Sequence, residues 1–560
     1  MVYDMPILDV NVSEKSFGPK NLMSNIKFSV NAGEKVGLVG RNGVGKSTLF
    51  NILSGIDKDY NGQIIYQNGT IVATTNQEHH AGNNQTVLDY ILSGLPEYTE
   101  LKNIIDTYPE TMGDNIRKIT KYSDALERFN HKGFYLIEGE IENELDSFQL
   151  ENVLSRDFSS LSGGEKRMVE ILKVMAAKSD IALIDEPTNH MDYVAKERFI
   201  KWLNEFSGAC IVVTHDRDVL ENVDRIIEIK DQKTVIYNGN YKDYLRQNTT
   251  ATSVGMTDFE LTKKRLTNLR TKATDYQRLK EKSRNPSTIK KFKRLEGEAR
   301  AEITKLEEKE KPTFWIDKES GAGLDYKSAQ RYEKYKTKNV RINVKNDETR
   351  TKHILVKARN LSLGYEDKVL FMDLNMDLPE GSVVRLKGRN GTGKTTFIKS
   401  ILESEGDGGD GKIIRYDGEL EVFKHTKVGV YEQEVSPDYF DLTLEVALAR
   451  IYLDQNLSIS DQKIRALASD YLFTLEDLSI PVKRLSGGQK ARLQIIKMLA
   501  SNPTMLILDE PTNHLDLPSI EEIESALKKY SGAILYVSHD NYFANTLGGK
   551  EIDLNKLASW

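Results

Sequence analysis

The chain repeats itself. Leu-Ser-Gly-Gly begins at Leu161 and again at Leu485, Asp-Glu-Pro-Thr-Asn-His at Asp185 and at Asp509, and a His-Asp pair stands at His215 and at His539, each pair 324 residues apart. Upstream, GRNGVGKST at Gly40 is matched by GRNGTGKTT at Gly388, 348 residues on, so the first copy is 24 residues longer between its glycine loop and its LSGG. Landmarks kept in one order mean a duplicated domain. The copies run over about 1–240 and 353–560 with a connector, 241–352, between them, and 560 residues suffice for that many cores. Short apolar runs bounded by polar residues, Ile181–Ile184 and Met505–Leu508, suit buried parallel strands. Helical periodicities lie between such runs, so each copy is expected to be an α/β domain.

The repeated residues carry phosphate chemistry. Gly40, Asn42, Gly43, Gly45, Lys46 and Ser47 fall in the pattern G-x-x-x-x-G-K-[ST], after the strand-like Val36–Val39 and before a helical run, which is the context a phosphate loop requires. Its glycines let backbone N–H groups close around phosphate oxygens, and the helix N-terminus adds a favourable dipole. Lys46 is placed for the β- and γ-phosphates and Ser47 for Mg²⁺, with Thr48 next in the loop. Gly388, Asn390, Gly391, Gly393, Lys394, Thr395 and Thr396 repeat the arrangement after Val383–Leu386. Asp185 and Asp509 end their apolar runs, where a carboxylate reaches a metal directly or through water. Glu186 and Glu510 follow, where a carboxylate polarises the water that attacks the γ-phosphate, as base or as positioning group. A solvated strand-end acid is the bland alternative. His215 and His539 end a second pair of apolar runs, Cys210–Val213 and Ile534–Val537, which sets an imidazole near the same phosphate.

At these residues the chain resembles the ATP-binding cassette superfamily, whose signature motif LSGGEKR (Leu161–Arg167) and LSGGQKA (Leu485–Ala491) look like. The resemblance implies that Ser162, Gly163 and Gly164, and likewise Ser486, Gly487 and Gly488, face the γ-phosphate bound by the opposite cassette. One ATP then lies between Lys46 and Ser486 and the other between Lys394 and Ser162. It also implies that Gln77 and Gln433 contact the metal. Phe17 and Tyr365, each 29 residues before its glycine-loop lysine, match the aromatic that stacks on adenine. Neither copy has lost its lysine, glutamate, signature serine or histidine, so two hydrolysis-competent sites are expected.

Composition narrows the partners. No apolar run approaches the roughly 20 residues a membrane helix needs. The opening MVYDMPILDV has no basic region or long apolar core, so no secretory signal is expected. Cys210 is the only cysteine, which excludes an internal disulfide and fits the cytoplasm. The net charge of −6 hides an asymmetry: Lys263–Arg294 holds 13 Lys/Arg against Asp275 and Glu281, a local +11 that leaves −17 for the rest. In the same segment Phe259, Leu266, Leu269, Ala273 and Tyr276 recur at steps of three and four, with Thr262 in the one gap. Ile289, Phe292, Leu295, Ala299, Ile303 and Leu306 do so after Pro286. Pro286 disfavours one continuous helix and makes Asn285 extended. The pattern predicts an antiparallel hairpin over about 257–311, about 25 residues and nearly 40 Å per arm, held by a narrow apolar seam. Lys280, Lys282, Arg284, Lys290, Lys291, Lys293 and Arg294 flank its tip. A charge run is usually a solvated face, but such faces alternate in sign, as Glu296–Lys311 does. A one-signed tip fits phosphate backbones.

A tandem pair of DEPTNH(M/L)D strings joined by a charged helical linker resembles the ABC-F family, cytosolic ATPases of which many act on ribosomes. The resemblance implies a monomer that closes on ATP with Mg²⁺ and directs its linker to large-subunit ribosomal RNA, peptidyl-site transfer RNA and the peptidyl-transferase centre, hydrolysis then releasing it. Antibiotic resistance by drug displacement is the alternative role, weakened by the short polar tip Lys282–Ser287. A repair factor or a transporter's ATPase subunit are further alternatives. Against repair, the chain stops at Trp560, 21 residues past His539, short of the coiled coil of repair-associated relatives. Leu161 comes 84 residues after Gln77, and Leu485 only 52 after Gln433. The extra 32 fall around Leu95–Glu127 and predict a helical subdomain or a ribosome-touching arm over about 95–150.

Overall fold

The computed structural model describes residues 5–558 except 19, 76–84, 114, 149, 151, 190, 308–311, 338–339, 341, 343–352, 367, 404–412 and 433–434. Each copy is built on a parallel sheet whose central strands are fully buried and aliphatic, as strands covered on both faces must be. In the first the order is Val72–Thr74, Ile181–Asp185, Ala209–Val213, Lys35–Gly40, Arg225–Lys230 and Lys233–Asn238, the last pairing antiparallel with its neighbour. In the second it is Val428–Tyr431, Met505–Asp509, Ala533–Val537, Val383–Lys387 and Lys550–Asp553. The strand ending in Asp-Glu, the strand before the histidine and the strand before the glycine loop are thus adjacent and parallel, and their C-terminal ends share one edge. A three-stranded antiparallel sheet, centred on Leu8–Phe17 in one copy and Ile354–Tyr365 in the other, packs beside each core. The apolar-run pattern did not announce it, because its strands alternate buried and exposed residues.

The 32 extra residues of the first copy form an antiparallel pair of helices, Tyr98–Thr111 and Ile116–His131, followed by Ile137–Ser147. An aromatic knot of Tyr98, Phe129 and Phe134 holds the pair at its base.

The connector differs from the sequence reading in length and in what it touches. Its first helix runs from Tyr241 to Lys282, 42 residues, and its second from Pro286 to Glu307, 22 residues. Residues 308–311 of the expected hairpin lie outside the described residues. The first arm starts earlier because Tyr241, Tyr244, Asn248, Thr252 and Met256 make a buried stripe that faces both cassettes and the returning chain rather than the second arm. Phe259, assigned by its spacing to the seam, packs instead on Phe314 and Tyr335. Ala273 and Ala299 are buried between the arms, and Tyr276 stacks on Phe292 at 6.1 Å. Glu296 is also buried there, paired with Lys280 at 2.5 Å and Arg300 at 2.9 Å, so the seam is part polar. At the tip, the Asn285 side chain accepts from Ser287 N at 3.0 Å and its carbonyl from Ile289 N. That caps a helix whose first residue, Pro286, has no N–H to lose.

After the hairpin, Thr313 N donates to Asp231 of the first cassette at 3.0 Å, while Lys318 Nζ donates to the Glu521 carbonyl of the second at 2.5 Å. Between them Trp315 is buried with Tyr241, Tyr244, Val39 of the first cassette and Leu517 of the second. Its carbonyl accepts from Asn248 Nδ2 at 3.0 Å. No described helix is long and apolar enough to cross a membrane.

Candidate active sites

Each glycine loop turns through left-handed backbone into its helix, with Gly45 at φ 102° and Gly393 at φ 91°. A side chain at Gly45 would also strike Met23, 2.6 Å from the Cβ position. Lys46 and Lys394 open the helices Lys46–Leu53 and Lys394–Glu403. Lys46 Nζ donates to the Gly40 carbonyl at 2.8 Å, and Lys394 Nζ to those of Gly388 and Arg389 at 2.8 Å. Burial lowers the pKa of both ammonium groups, against the pull of nearby carboxylates. In the second cassette Thr395 Oγ1 donates to Asp509 Oδ2 at 3.3 Å, a hydroxyl and a strand-end carboxylate side by side. In the first, Asp185 ends the buried strand and Ser47 occupies the matching exposed position of the loop. Asn42, Gly43, Thr48, Asn390, Gly391 and Thr396 complete the two loops.

Glu186 and Glu510 follow at φ 43° and 48°, backbone that non-glycine residues rarely adopt. Each is held there by its own N–H, donated to Val213 O at 2.7 Å and to Val537 O at 3.0 Å. Both carboxylates lie near the glycine-loop lysines, whose charge pulls their pKa back down. His215 Nε2 lies 3.8 Å from Glu186 Oε1, and His539 Nε2 lies 3.4 Å from Glu510 Oε1. Glu510 Oε2 also accepts from His539 N at 3.2 Å. Burial, then the Asp185 charge, pushes Glu186 up to about 8, and burial raises Glu510. Asp509 rises to about 6 through burial and Glu510. Burial lowers both histidines, His539 to about 3.

The signature serines cap facing helices, Gly163–Ala176 and Gly487–Leu499, through reciprocal boxes with Glu165 and Gln489. Ser162, Gly163 and Gly164 line one cavity of about 890 Å³ together with Lys394, Thr395, Asp509, Glu510 and His539 of the opposite cassette, and Glu186 and His215 border it. Across the other pairing, Asn42 N donates to Asp516 Oδ2 at 2.9 Å and Asn42 Nδ2 to the His514 carbonyl at 3.0 Å. A Cβ on Gly488 would sit 2.1 Å from that Nδ2, so the Lys46 loop abuts the helix capped by Ser486. Asn390 N makes the matching bond to Asp192 at 3.1 Å.

Gln77 and Gln433 lie outside the described residues, as does the side chain of Phe17, whose backbone ends the strand Leu8–Phe17. Tyr365 is half-exposed, and its hydroxyl lies 3.2 Å from Thr396 Oγ1, which puts the ring beside the second glycine-loop helix. Of the seven basic residues flanking the hairpin tip, Lys282, Arg284, Lys290, Lys291, Lys293 and Arg294 are exposed, Arg294 facing Glu298 at 3.8 Å. Lys280 is half-buried and paired with Glu296, because it falls on the seam side of its helix. Lys196, buried between the cassettes, stands in no motif and was not singled out by the sequence.

The ABC transporter family model matches residues 23–189 and 371–513. Putative ATP-binding protein YdiF of Bacillus subtilis is 29% identical over 98% of this chain and 80% of its own length. Probable ATP-binding protein YheS of Escherichia coli K12 is 30% identical over 94% and 75%, and energy-dependent translational throttle protein EttA of Mycobacterium tuberculosis 28% identical over 94% and 88%. Among solved structures, the archaeal ribosome recycling factor aABCE1, in complex with ribosomal stalk protein aP1, superposes with a TM-score of 0.56 at 18% identity, covering 97% of this chain and 87% of that one. That likeness is one of fold.

Proposed function

The chain belongs to the ATP-binding cassette family, in its ABC-F branch, and hydrolyses ATP; from that premise we propose that it binds the ribosome when ATP closes the cassettes, sets its basic hairpin against peptidyl-site transfer RNA and large-subunit ribosomal RNA near the peptidyl-transferase centre, and leaves on hydrolysis. The observation that carries this reading is the hairpin, whose tip presents basic side chains on the outer faces of both arms. The relative described as a translational throttle supports it. A cytoplasmic monomer with its cassettes paired within one chain is the form the reading requires.

Two composite sites are proposed, Lys46 with Ser486 and Lys394 with Ser162. Each lysine leaves its loop carbonyls for the phosphates, while the backbone N–H groups of the glycine loop and of the facing signature helix close around them. Asp509 with Thr395, and Asp185 with Ser47, fit a magnesium ion, which asks for one or two carboxylates and takes its other ligands from water and the nucleotide. Gln77 and Gln433 are proposed to complete those shells, and Phe17 and Tyr365 to stack on adenine. When bound, the metal offsets charge on the β- and γ-phosphates. Glu186 and Glu510 accept the proton of the attacking water or orient it, and burial raises the affinity of both for protons. His215 and His539, beside the two glutamates, are proposed to reach toward the γ-phosphate. At the tip, the three-residue connection Ser283–Asn285 carries no apolar side chain, which supports contact with an RNA backbone rather than displacement of a drug.

Replacing Lys282, Arg284, Lys290, Lys291, Lys293 and Arg294 with Gln tests the reading, Lys280 being left to hold the hairpin. Each lost phosphate contact on a duplex lowers the logarithmic salt slope by about 0.9. Ribosome co-sedimentation over a salt series is therefore expected to weaken and flatten, while ATP affinity without ribosomes stays at the parental value. Undiminished binding with an unchanged slope makes the basic run a solvated face and removes the reading.

A further inference from the structure

The two cassettes match in motif but not in the buried charges between them, of which Lys196 is one. Lys196 lies in the first turn of the helix Tyr193–Glu205 and is 4% exposed. Its ammonium reaches Asp216 at 2.9 Å, Asp218 at 2.6 Å and the carbonyl of His539 at 3.2 Å. Asp216 directly follows His215, so one side chain holds the histidine loop of the first cassette and the histidine backbone of the second. The repeat places Ile520 at the corresponding position of the helix Leu517–Lys529, buried and uncharged. Around this point the asymmetry continues. Asn541 Nδ2 donates to Asp218 Oδ2 at 2.9 Å, and Arg217 pairs with Glu524 at 2.9 Å.

The helix that carries Lys196 is also tied to a nucleotide loop. Its N-cap Asp192 accepts from Asn390 N, beside Lys394, so a single helical turn touches the second glycine loop and both histidine loops. The mirror helix, capped by Asp516 on Asn42 N, carries Ile520 where the lysine would be. A buried ammonium shared by two carboxylates is costly to leave half-paired, so the cluster moves as a unit or not at all.

We propose that Lys196 is a positioning residue that couples the two ATP sites: when one histidine loop closes on its nucleotide, Lys196 carries the displacement to the other, and the sites hydrolyse ATP cooperatively. The coupling rests on the reading of Glu186 and Glu510 as the hydrolytic groups.

The test compares the parental full chain with a K196I/D216N/D218N variant, which removes the buried charges together, and with Lys196→Arg. In the parent, ATP hydrolysis is expected to be sigmoidal with a Hill coefficient above 1, bounded by about 2 for two sites. Glu186→Gln or Glu510→Gln alone is expected to lower the rate about tenfold, well beyond one half, within the range of ordinary coupling. In the triple variant the Hill coefficient falls to 1, and either single Gln leaves half of that variant's rate. Lys196→Arg, which keeps the buried charge, keeps the parental Hill coefficient. A folded triple variant that binds ATP and keeps the parental Hill coefficient overturns the proposal, as does a parent whose single Gln variants each retain half the rate. If the triple variant does not fold, Asp218→Asn, which spares the Lys196–Asp216 pair, must lower the Hill coefficient, and no change overturns the proposal equally. Parental turnover in the double Gln variant would instead remove the glutamate assignment, separately from the coupling.

Discussion

Asn42 and Gly488 show how tightly one residue of a cassette is fitted to one residue of the other. The asparagine side chain lies where a Cβ on Gly488 would be, 2.1 Å from its Nδ2, while its backbone N–H donates to Asp516 and its Nδ2 to the His514 carbonyl. Gly488→Ala is therefore expected to hold the Lys46 pairing apart and cut ATP turnover more than tenfold, about 1.4 kcal/mol or more in barrier terms. Asn42→Ala in the same chain should restore part of it. A Gly488→Ala chain with parental turnover would mean that the Lys46 loop and the Ser486 helix do not meet during hydrolysis. At this scale the sequence was most legible, because phosphate binding dictates residue type and spacing together, and the duplication printed the pattern twice. Lys196 was illegible for the complementary reason. Its value lies in breaking the repeat, its counterpart being Ile520, and its partner His539 is 343 residues away. The positive φ of Glu186 and Glu510 was hidden as well, since neither residue type advertises it.

The hairpin's elements were legible in kind and misjudged in extent. Heptad-like spacing reveals a helix only where its apolar side meets another helix. From Tyr241 to Met256 the first arm instead buries a mixed stripe, with Asn248 and Thr252 turned toward the Trp315 carbonyl, and polar residues at buried positions erase the signal. The returning chain was not read as structured at all, yet it carries the contacts to both cassettes. There Glu521, on the helix Leu517–Lys529, is pushed up to about 8 by burial and by the facing Asp317. Its folded-state value lies above the ordinary 4.5, so the folded protein keeps a proton that the unfolded chain has released between those pH values. Stability is then lost as pH rises through that window. Glu521→Gln, which can still accept from Lys318 N, is expected to melt higher than the parent at pH 9 and at the same temperature near pH 5. Melting curves across that range decide it, and a gap that does not depend on pH sinks the assignment.

On the proposed pairing, nucleotide is held between the cassettes and its hydrolysis is coupled to their opening. Glu186→Gln together with Glu510→Gln is expected to bind ATP while hydrolysis falls about 10²–10⁴-fold, the usual loss of a proton acceptor. The closed chain should then accumulate on ribosomes in co-sedimentation, and a double variant that hydrolyses ATP at the parental rate removes both assignments. Tandem organisation and strand-loop-helix order could be read from the repeat. How the halves meet could be read only through family resemblance, because no spacing within one chain encodes a contact between its copies.

The first arm is one uninterrupted helix rooted in the cluster of Val39, Tyr241, Tyr244, Trp315 and Leu517, which draws on both cassettes and on the strand that leads into the Lys46 loop. Mechanically it is a lever with a very short input side. Over about 63 Å of helix at roughly 1.5 Å per residue, a tilt of about 5° at the root sweeps the far end through roughly 5 Å. A small tilt at the root is thus magnified along the arm into a movement the size of a nucleobase at the tip. The gain is set by helix length, so lengthening or shortening both arms by whole turns should change the reach of the stroke without changing the ATP chemistry that drives it.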